Sequence, residues 1–175
     1  MRVRLEDLGI VPSNFRFELD SASEGLIDVP GRPVGSVHAD FQASRDGSLI
    51  RIEGRLSGTL ERECYRCLKA VANDFDFRFE AGFAHEDVFS EQAEKELSKE
   101  DLSISVMEGQ ELDLTEVARE QLLLALPEAV LCDDGCAGLC ETCGKDLNVA
   151  PCECGADAVD PRWKGLEDLK RNLGS

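Results

Sequence analysis

Eight cysteines fall in four close pairs, and this constrains the fold more than any other feature of the chain. Cys64 and Cys67 form C-x-x-C, and Cys132 and Cys136 form C-x-x-x-C. Cys140 and Cys143 form a second C-x-x-C followed at once by Gly144, and Cys152 and Cys154 form C-x-C. The stretch from Cys132 to Cys154 carries almost no large apolar side chain, so it cannot bury a core of its own and needs a metal to hold a shape. Four thiolates complete a closed tetrahedral zinc site, and four pairs are enough for two such sites. A closed site has no open coordination position, so the pairs speak for structure before catalysis.

The strongest local signal is Cys140-Glu-Thr-Cys143-Gly144-Lys-Asp-Leu147. Glycine after the second cysteine allows the left-handed turn that wraps a zinc knuckle round its ion. Cys152 and Cys154 return after eight intervening residues, so these four are assigned to one site. Cys64, Cys67, Cys132 and Cys136 remain for the other, which would close a long loop. Four pairs divide into two sites in three ways, and this division is the most local. Sulfur-only ligation suits zinc and also iron. No βαβ pattern surrounds either C-x-x-C, which argues against a thioredoxin-like dithiol. The first residues, Met1 to Gly9, carry no apolar signal core. A reducing, cytoplasmic setting is therefore expected, where cysteine pairs favour metal over disulfides.

The remaining pattern predicts an α+β fold. Val37, Ala39, Phe41 and Ala43 alternate with His38, Asp40 and Gln42, the period of a half-buried strand. Asp46-Gly47 marks a turn, after which Ile50, Ile52, Leu56 and Leu60 share a face with Gly54 and Gly58, where bulges or bends are expected. Phe75, Phe77, Phe79 and Phe83 alternate in a third strand. The expected sheet is antiparallel, a meander or barrel-like, with Cys64–Cys67 on the turn between its second and third strands. Residues 1–33 read as irregular, and 84–111 as an acidic loop with a short helix near Glu91–Leu97. A long helix follows, capped by Asp113 with Glu116 completing a capping box. Leu114, Val117, Ala118, Leu122 and Ala125 form its stripe, Leu123, Leu124 and Leu126 widen it into a deeply packed helix, and Pro127 stops it. A last helix begins at Asp160-Pro161 with Trp163, Leu166, Leu169 and Leu173 on one side. The expected division is residues 1–131, sheet and helix, and 132–175, zinc-knuckle segment and final helix.

The chain has 175 residues, 42% of them hydrophobic, which suffices for a real core, yet its longest apolar runs fall far short of a membrane span. A formal net charge of −17 excludes a free-standing phosphate binder, since polyanions repel it. Such a surface suits a basic partner, or serves only solubility. Cations cluster near the first cysteine pair, and Arg51, Arg55, Arg62, Arg66 and Lys69 are candidate local contacts. His38 and His85 read as surface residues. No Ser/His/Asp set, phosphate loop or ordered carboxylate pair stands out.

In order along the chain come Cys64-Tyr-Arg-Cys67-Leu68, then Glu111-Leu-Asp-Leu114 leading into Arg119-Glu-Gln-Leu-Leu-Leu-Ala-Leu-Pro127. Gly138-Leu-Cys-Glu-Thr-Cys-Gly144 with Leu147-Asn148 follows, and last Asp160-Pro-Arg-Trp163 with Leu166 and Leu169. This ordered set, spanning about residues 8–171, resembles the YceD family of large ribosomal RNA subunit accumulation proteins, in the cysteine-rich version similar to that of actinobacteria. The resemblance implies a role in accumulation or processing of large-subunit ribosomal RNA and no established catalytic activity. It implies as partner a large-subunit precursor, through its RNA or a basic ribosomal protein, with neither a membrane nor a small-molecule substrate. Family members differ in cysteine content, so the resemblance makes metal a support of this version of the fold. Two other readings compete: a zinc- or redox-responsive regulatory or interaction module, and a nuclease acting on ribosomal RNA precursors.

Overall fold

The alternation read from Val37 onward becomes the centre of a sheet. The computed structural model describes residues 1–20, 26, 28–85, 104–154, 161–163, 166 and 169–170. Two compact units make up the chain, one of Met1–Tyr65 with Lys69–Cys132, the other of Arg66–Leu68 with Asp133–Ser175.

In the first unit the strands are β1 (Arg2–Arg4), β2 (Ser13–Leu19), β3 (Arg32–Pro33), β4 (Val37–Asp46), β5 (Leu49–Glu63), β6 (Ala70–His85), β7 (Ile104–Met107) and β8 (Glu111–Asp113), followed by helix α1 (Leu114–Ala125). The main sheet runs β2-β4-β5-β6-β7, with β3 paired to β5 off that path. All neighbours are antiparallel except β6 and β7, which are parallel. The sheet is open: among the described residues nothing pairs its two edges, so the meander is observed and the barrel is not. β1 and β8 form a separate antiparallel pair.

Residues 1–33, expected to be irregular, contain β1, β2 and β3. In β2, Phe15, Phe17 and Leu19 alternate with Asn14, Arg16 and Glu18 and pair with β4 over its whole length. Of the stretch expected as an acidic loop, Ile104–Met107 and Glu111–Asp113 are strands. Its centre, including the helix expected near Glu91–Leu97, lies outside the described residues.

One face of the sheet is apolar because period-two alternation sends every second side chain to the same side. Val37, Phe41, Ala43, Ile52, Leu56 and Leu60 are fully buried there. Phe15, Phe41, Gly54 and Phe79 stand opposite one another across four strands. The Phe41 ring meets Phe17 and Phe79 edge-on at 5.3 and 5.1 Å, the arrangement favoured by aromatic quadrupoles. A Cβ on Gly54 would enter the Phe79 ring and come within 2.8 Å of Phe41. No bulge occurs at Gly54 or Gly58: β5 pairs with β6 without a break from Leu49 to Glu63. The glycines make room for rings.

α1 has 12 residues. The Asp113 carboxylate accepts the Thr115 N–H at 3.0 Å, an N-cap as expected. Glu116 turns forward to the Arg119 guanidinium, so the capping box is not closed through it. Leu114, Val117, Ala118 and Leu122 face the core, which is one cluster with the sheet's apolar side. The wider stripe holds only at Leu126, because Leu123 and Leu124 are exposed, the latter by 79%, and Ala125 of the expected stripe is exposed as well. The Leu126 N–H closes the last turn on the Leu122 carbonyl at 2.9 Å, and Pro127 follows, where no helical N–H could be supplied.

In the second unit the regular structure is sparse. Leu139 and Asp146 form an isolated bridge, and Pro161–Trp163 is a 3-10 turn, with helical backbone at Leu166, Leu169 and Lys170. Trp163, expected to anchor a helix, is 57% exposed, and Leu166 and Leu169 are each 55% exposed. Asp160, its expected cap, lies outside the described residues.

Candidate metal centres

Cys140, Cys143, Cys152 and Cys154 converge, each with its sulfur within 4.8 Å of the other three. The local backbone explains why. The Cys140 N–H donates to the Lys145 carbonyl at 2.9 Å, and the Gly144 N–H donates back to the Cys140 carbonyl at 2.8 Å. This tight turn needs Gly144 at φ +71°, a left-handed conformation that only glycine adopts without strain. The Leu147 N–H then bonds the Gly138 carbonyl at 2.9 Å, closing a small hairpin. The Lys145 ammonium reaches the Pro151 carbonyl at 3.1 Å and holds the returning segment that carries Cys152 and Cys154.

The thiols of this group share protons unevenly. The Cys140 thiol is lowered to about 6, first by the Cys143 N–H, then by the Cys152 thiol, the Thr142 N–H and the Cys143 thiol. Cys154 is pushed up to about 12, chiefly because its S–H is held by Cys143, and Cys152 is raised by donating to Cys140. Thiolates crowded together suppress one another's ionisation. A dication at their centre removes that conflict by displacing the protons.

Cys64, Cys67, Cys132 and Cys136 form the other group, with sulfurs within the same 4.8 Å. At the end of β5 the Cys64 N–H bonds the Lys69 carbonyl at 2.8 Å, and the Tyr65 N–H bonds the Val130 carbonyl at 2.8 Å. Arg62 adds bonds to the Pro127 and Glu128 carbonyls at 2.7 and 3.2 Å. The chain leaving α1 is thereby held along the end of β5, and Cys132 arrives two residues beyond Val130. The Asn148 amide lies 3.5 Å from the Cys136 sulfur, the kind of hydrogen bond that orients a thiolate ligand. Asn148 is itself fixed: its side-chain oxygen accepts the Ala137 N–H at 2.7 Å, and its amide donates to Asp146 at 2.7 Å. Sequence reasoning did not find this role. The signal in the sequence is Asn148 following Leu147 within the family pattern.

Both groupings are those expected from the sequence. A tetrahedral zinc–thiolate site, with Zn–S near 2.3 Å, spaces its sulfurs by about 3.8 Å, so small adjustments within each group suffice. The four-sulfur donor sets fit a soft or borderline cation. The groups differ in exposure. Cys64, Cys67 and Cys136 are buried and Cys132 is exposed, whereas in the other group Cys143 is exposed and Cys140, Cys152 and Cys154 are half-buried.

The basic candidates do not form one patch. Arg51 and Arg55 lie on the solvent face of β5, where Arg55 pairs with Asp76, Nε to Oδ1 being 2.7 Å. Arg66 is exposed and donates to the Cys136 carbonyl at 2.8 Å, and Lys69 is exposed. Arg62 is 8% exposed, with its guanidinium turned inward onto the two carbonyls. That burial takes it out of the set of surface contacts.

The sequence pattern of the family described as large ribosomal RNA subunit accumulation protein YceD matches residues 52–170, from early in β5 through both cysteine groups. The chain belongs to the YceD family. An uncharacterized protein of Mycobacterium leprae is 29% identical over 133 residues, 76% of this chain and 58% of that protein. An uncharacterized protein of Mycobacterium bovis is 28% identical over 166 residues, 94% of this chain and 72% of that protein. The Arabidopsis thaliana large ribosomal RNA subunit accumulation protein YCED homolog 1, chloroplastic, is 30% identical over 66 residues, 38% of this chain and 21% of that protein. The chain thus spans under two thirds of the Mycobacterium leprae and Arabidopsis relatives. No solved structure matches it. Among the described residues of this YceD-family chain, no helix is long and apolar enough to cross a membrane.

Proposed function

We propose that this chain is a non-enzymatic factor for accumulation and processing of large-subunit ribosomal RNA, acting in the cytoplasm on a large-subunit precursor. The observation that carries the reading is the family match over residues 52–170, whose description names accumulation of an RNA and no reaction. Zinc fills both cysteine groups in this reading. Four thiolates without a carboxylate or water position make a closed site, which suits support of shape. Contact with the precursor is local, through its RNA or a basic ribosomal protein, because a net charge of −17 opposes broad phosphate binding. Arg51, Arg55, Arg66 and Lys69 are the candidate cations, Arg62 being engaged inside.

Two measurements test the proposal. Deletion of the gene should lower free large subunits on sucrose gradients and leave immature ends on their RNA. Unchanged gradients with normal ends would sink the functional reading. Elemental analysis of purified protein should give two zinc per chain, and zero zinc would sink the metal assignment. The greater exposure of the Cys140–Cys154 group supports a second reading, a redox-responsive module. Loss of one zinc under mild peroxide, with the RNA phenotype reproduced by that treatment, would favour it.

A further inference from the structure

The turn at the first cysteine pair sends its ligands inward and everything else outward. Cys64 and Cys67 are 0% and 5% exposed, whereas Tyr65 is 75% and Leu68 58% exposed. Tyr65 is the only tyrosine of the chain. Its backbone N–H is fixed to the Val130 carbonyl, so the ring projects from an immobilised base. Leu68 sits at φ +60°, the only non-glycine residue with positive φ in the described structure. Leucine adopts that conformation rarely, and here it keeps an apolar side chain in water. Arg66 is held at both ends, its guanidinium on the Cys136 carbonyl and its own carbonyl accepting the Leu139 N–H at 3.1 Å.

Charge around this turn departs from the rest of the molecule. Between Glu63 and Asp74 the chain has no acidic residue and two cations, Arg66 and Lys69, although 36 of its 175 residues are acidic. An exposed ring beside cations is what an unpaired nucleotide requires: a face on which the base stacks and positive charge for its phosphate. A protein partner would more often demand a desolvated pocket round its anchors, and Tyr65 stands in the open.

We propose that Tyr65 is a stacking platform for one unpaired RNA base, with Arg66 and Lys69 of the same turn drawing in the adjoining phosphates. This rests on the ribosomal RNA reading above and names the contact through which it would act. A one-base platform also reconciles RNA contact with an acidic protein, because stacking is less screened and less charge-dependent than phosphate binding.

The test uses the full zinc-loaded chain and labelled 12-nucleotide single strands tiling a large-subunit ribosomal RNA. Binding is followed by fluorescence anisotropy, and Tyr65→Phe and Tyr65→Ala are compared with the unaltered protein. Because the ring is exposed, both variants should keep their zinc content and circular dichroism. For the tightest fragment, Tyr65→Phe should bind like the unaltered protein and Tyr65→Ala on the order of tenfold more weakly. A 5-iodouridine strand should crosslink to the Tyr65 peptide. Equal binding by Tyr65→Ala would overturn the platform while leaving RNA binding intact. No binding of any fragment by the unaltered protein would also overturn it, and Tyr65-dependent recovery of a ribosomal protein in that case would make the partner a protein. The gradient experiment answers separately for the ribosomal reading.

Discussion

Arg62 shows how one side chain can serve a site it never touches. Its guanidinium satisfies the carbonyls of Pro127 and Glu128, and the segment so held leads directly to Cys132. Replacing it with leucine keeps much of the volume and removes every donor. Two part-buried carbonyls would lose partners, at a cost of about 2–3 kcal/mol. The expected outcome for Arg62→Leu is a lower urea midpoint with unchanged m value, together with weaker zinc retention at the Cys64 group than at the Cys140 group under a competing chelator. Equal loss from both groups would separate Arg62 from the metal. From the sequence it was an arginine among other arginines. Its inward position follows from β5 alternation: Leu60 faces the core, and so does Arg62 two residues later, where the apolar face ends and free carbonyls begin.

At the scale of the element, two caps set the behaviour of helix and hairpin. Burial alone would raise the Asp113 carboxyl, but the Thr115 N–H and the Arg2 guanidinium bond its charged form and leave it lowered overall. A carboxyl depressed in the folded state stabilises above its unfolded value and loses that contribution as pH falls through the folded one. The difference in stability between the unaltered protein and Asp113→Ala should therefore be about 1 kcal/mol at neutral pH and shrink below the ordinary carboxylate range. A difference constant down to strongly acid pH would show that the charge is irrelevant to the cap. For the hairpin, Cys143→Ser should remove one zinc per chain and leave the other, because the two groups share no ligand. Near-ultraviolet circular dichroism from the phenylalanine rows should persist, and loss of both metals would mean the sites are not independent.

Much at this scale was legible. β4, β5 and β6 announced themselves by alternation, α1 by its cap and its proline stop, and both metal groups by pair spacing. What escaped has physical causes. β2 was overlooked because its alternating run, Asn14 to Leu19, is short and follows a proline. Gly54 was read as a bend because a sequence does not show that two phenylalanines from other strands need the space of its missing side chain. Leu123 and Leu124 read as core because leucine is apolar, yet a 12-residue helix that turns Leu114, Val117, Ala118 and Leu122 to the core leaves its other side to solvent. β7 was missed because its pairing with β6 is a long-range, parallel contact with no local signature.

On the scale of the whole molecule, the chain combines a folded sheet that has its own core with a cysteine-rich segment that has almost none. The first has the buried apolar area to persist without metal, and the second does not. Chelation should accordingly leave the main unfolding transition in place while Cys132–Cys154 becomes open to hydrogen exchange and proteolysis. A single loss of all structure on zinc removal would contradict this division. The net charge also sets an expectation for nucleic acid: affinity for arbitrary RNA should be weak, with a shallow salt slope, since few phosphates can be neutralised.

The pairing of β1 with β8 has a consequence in time. Arg2 lies opposite Asp113, so β1 has no partner until roughly 110 further residues have been made, about 5–20 s at ordinary elongation rates of roughly 5–20 residues per second. Through that interval Val3 and Leu5, both buried in the finished protein, have nowhere to go. A nascent chain of this kind carries β1 unclaimed for all that time, and the small sheet that finally takes it in closes only as α1 begins.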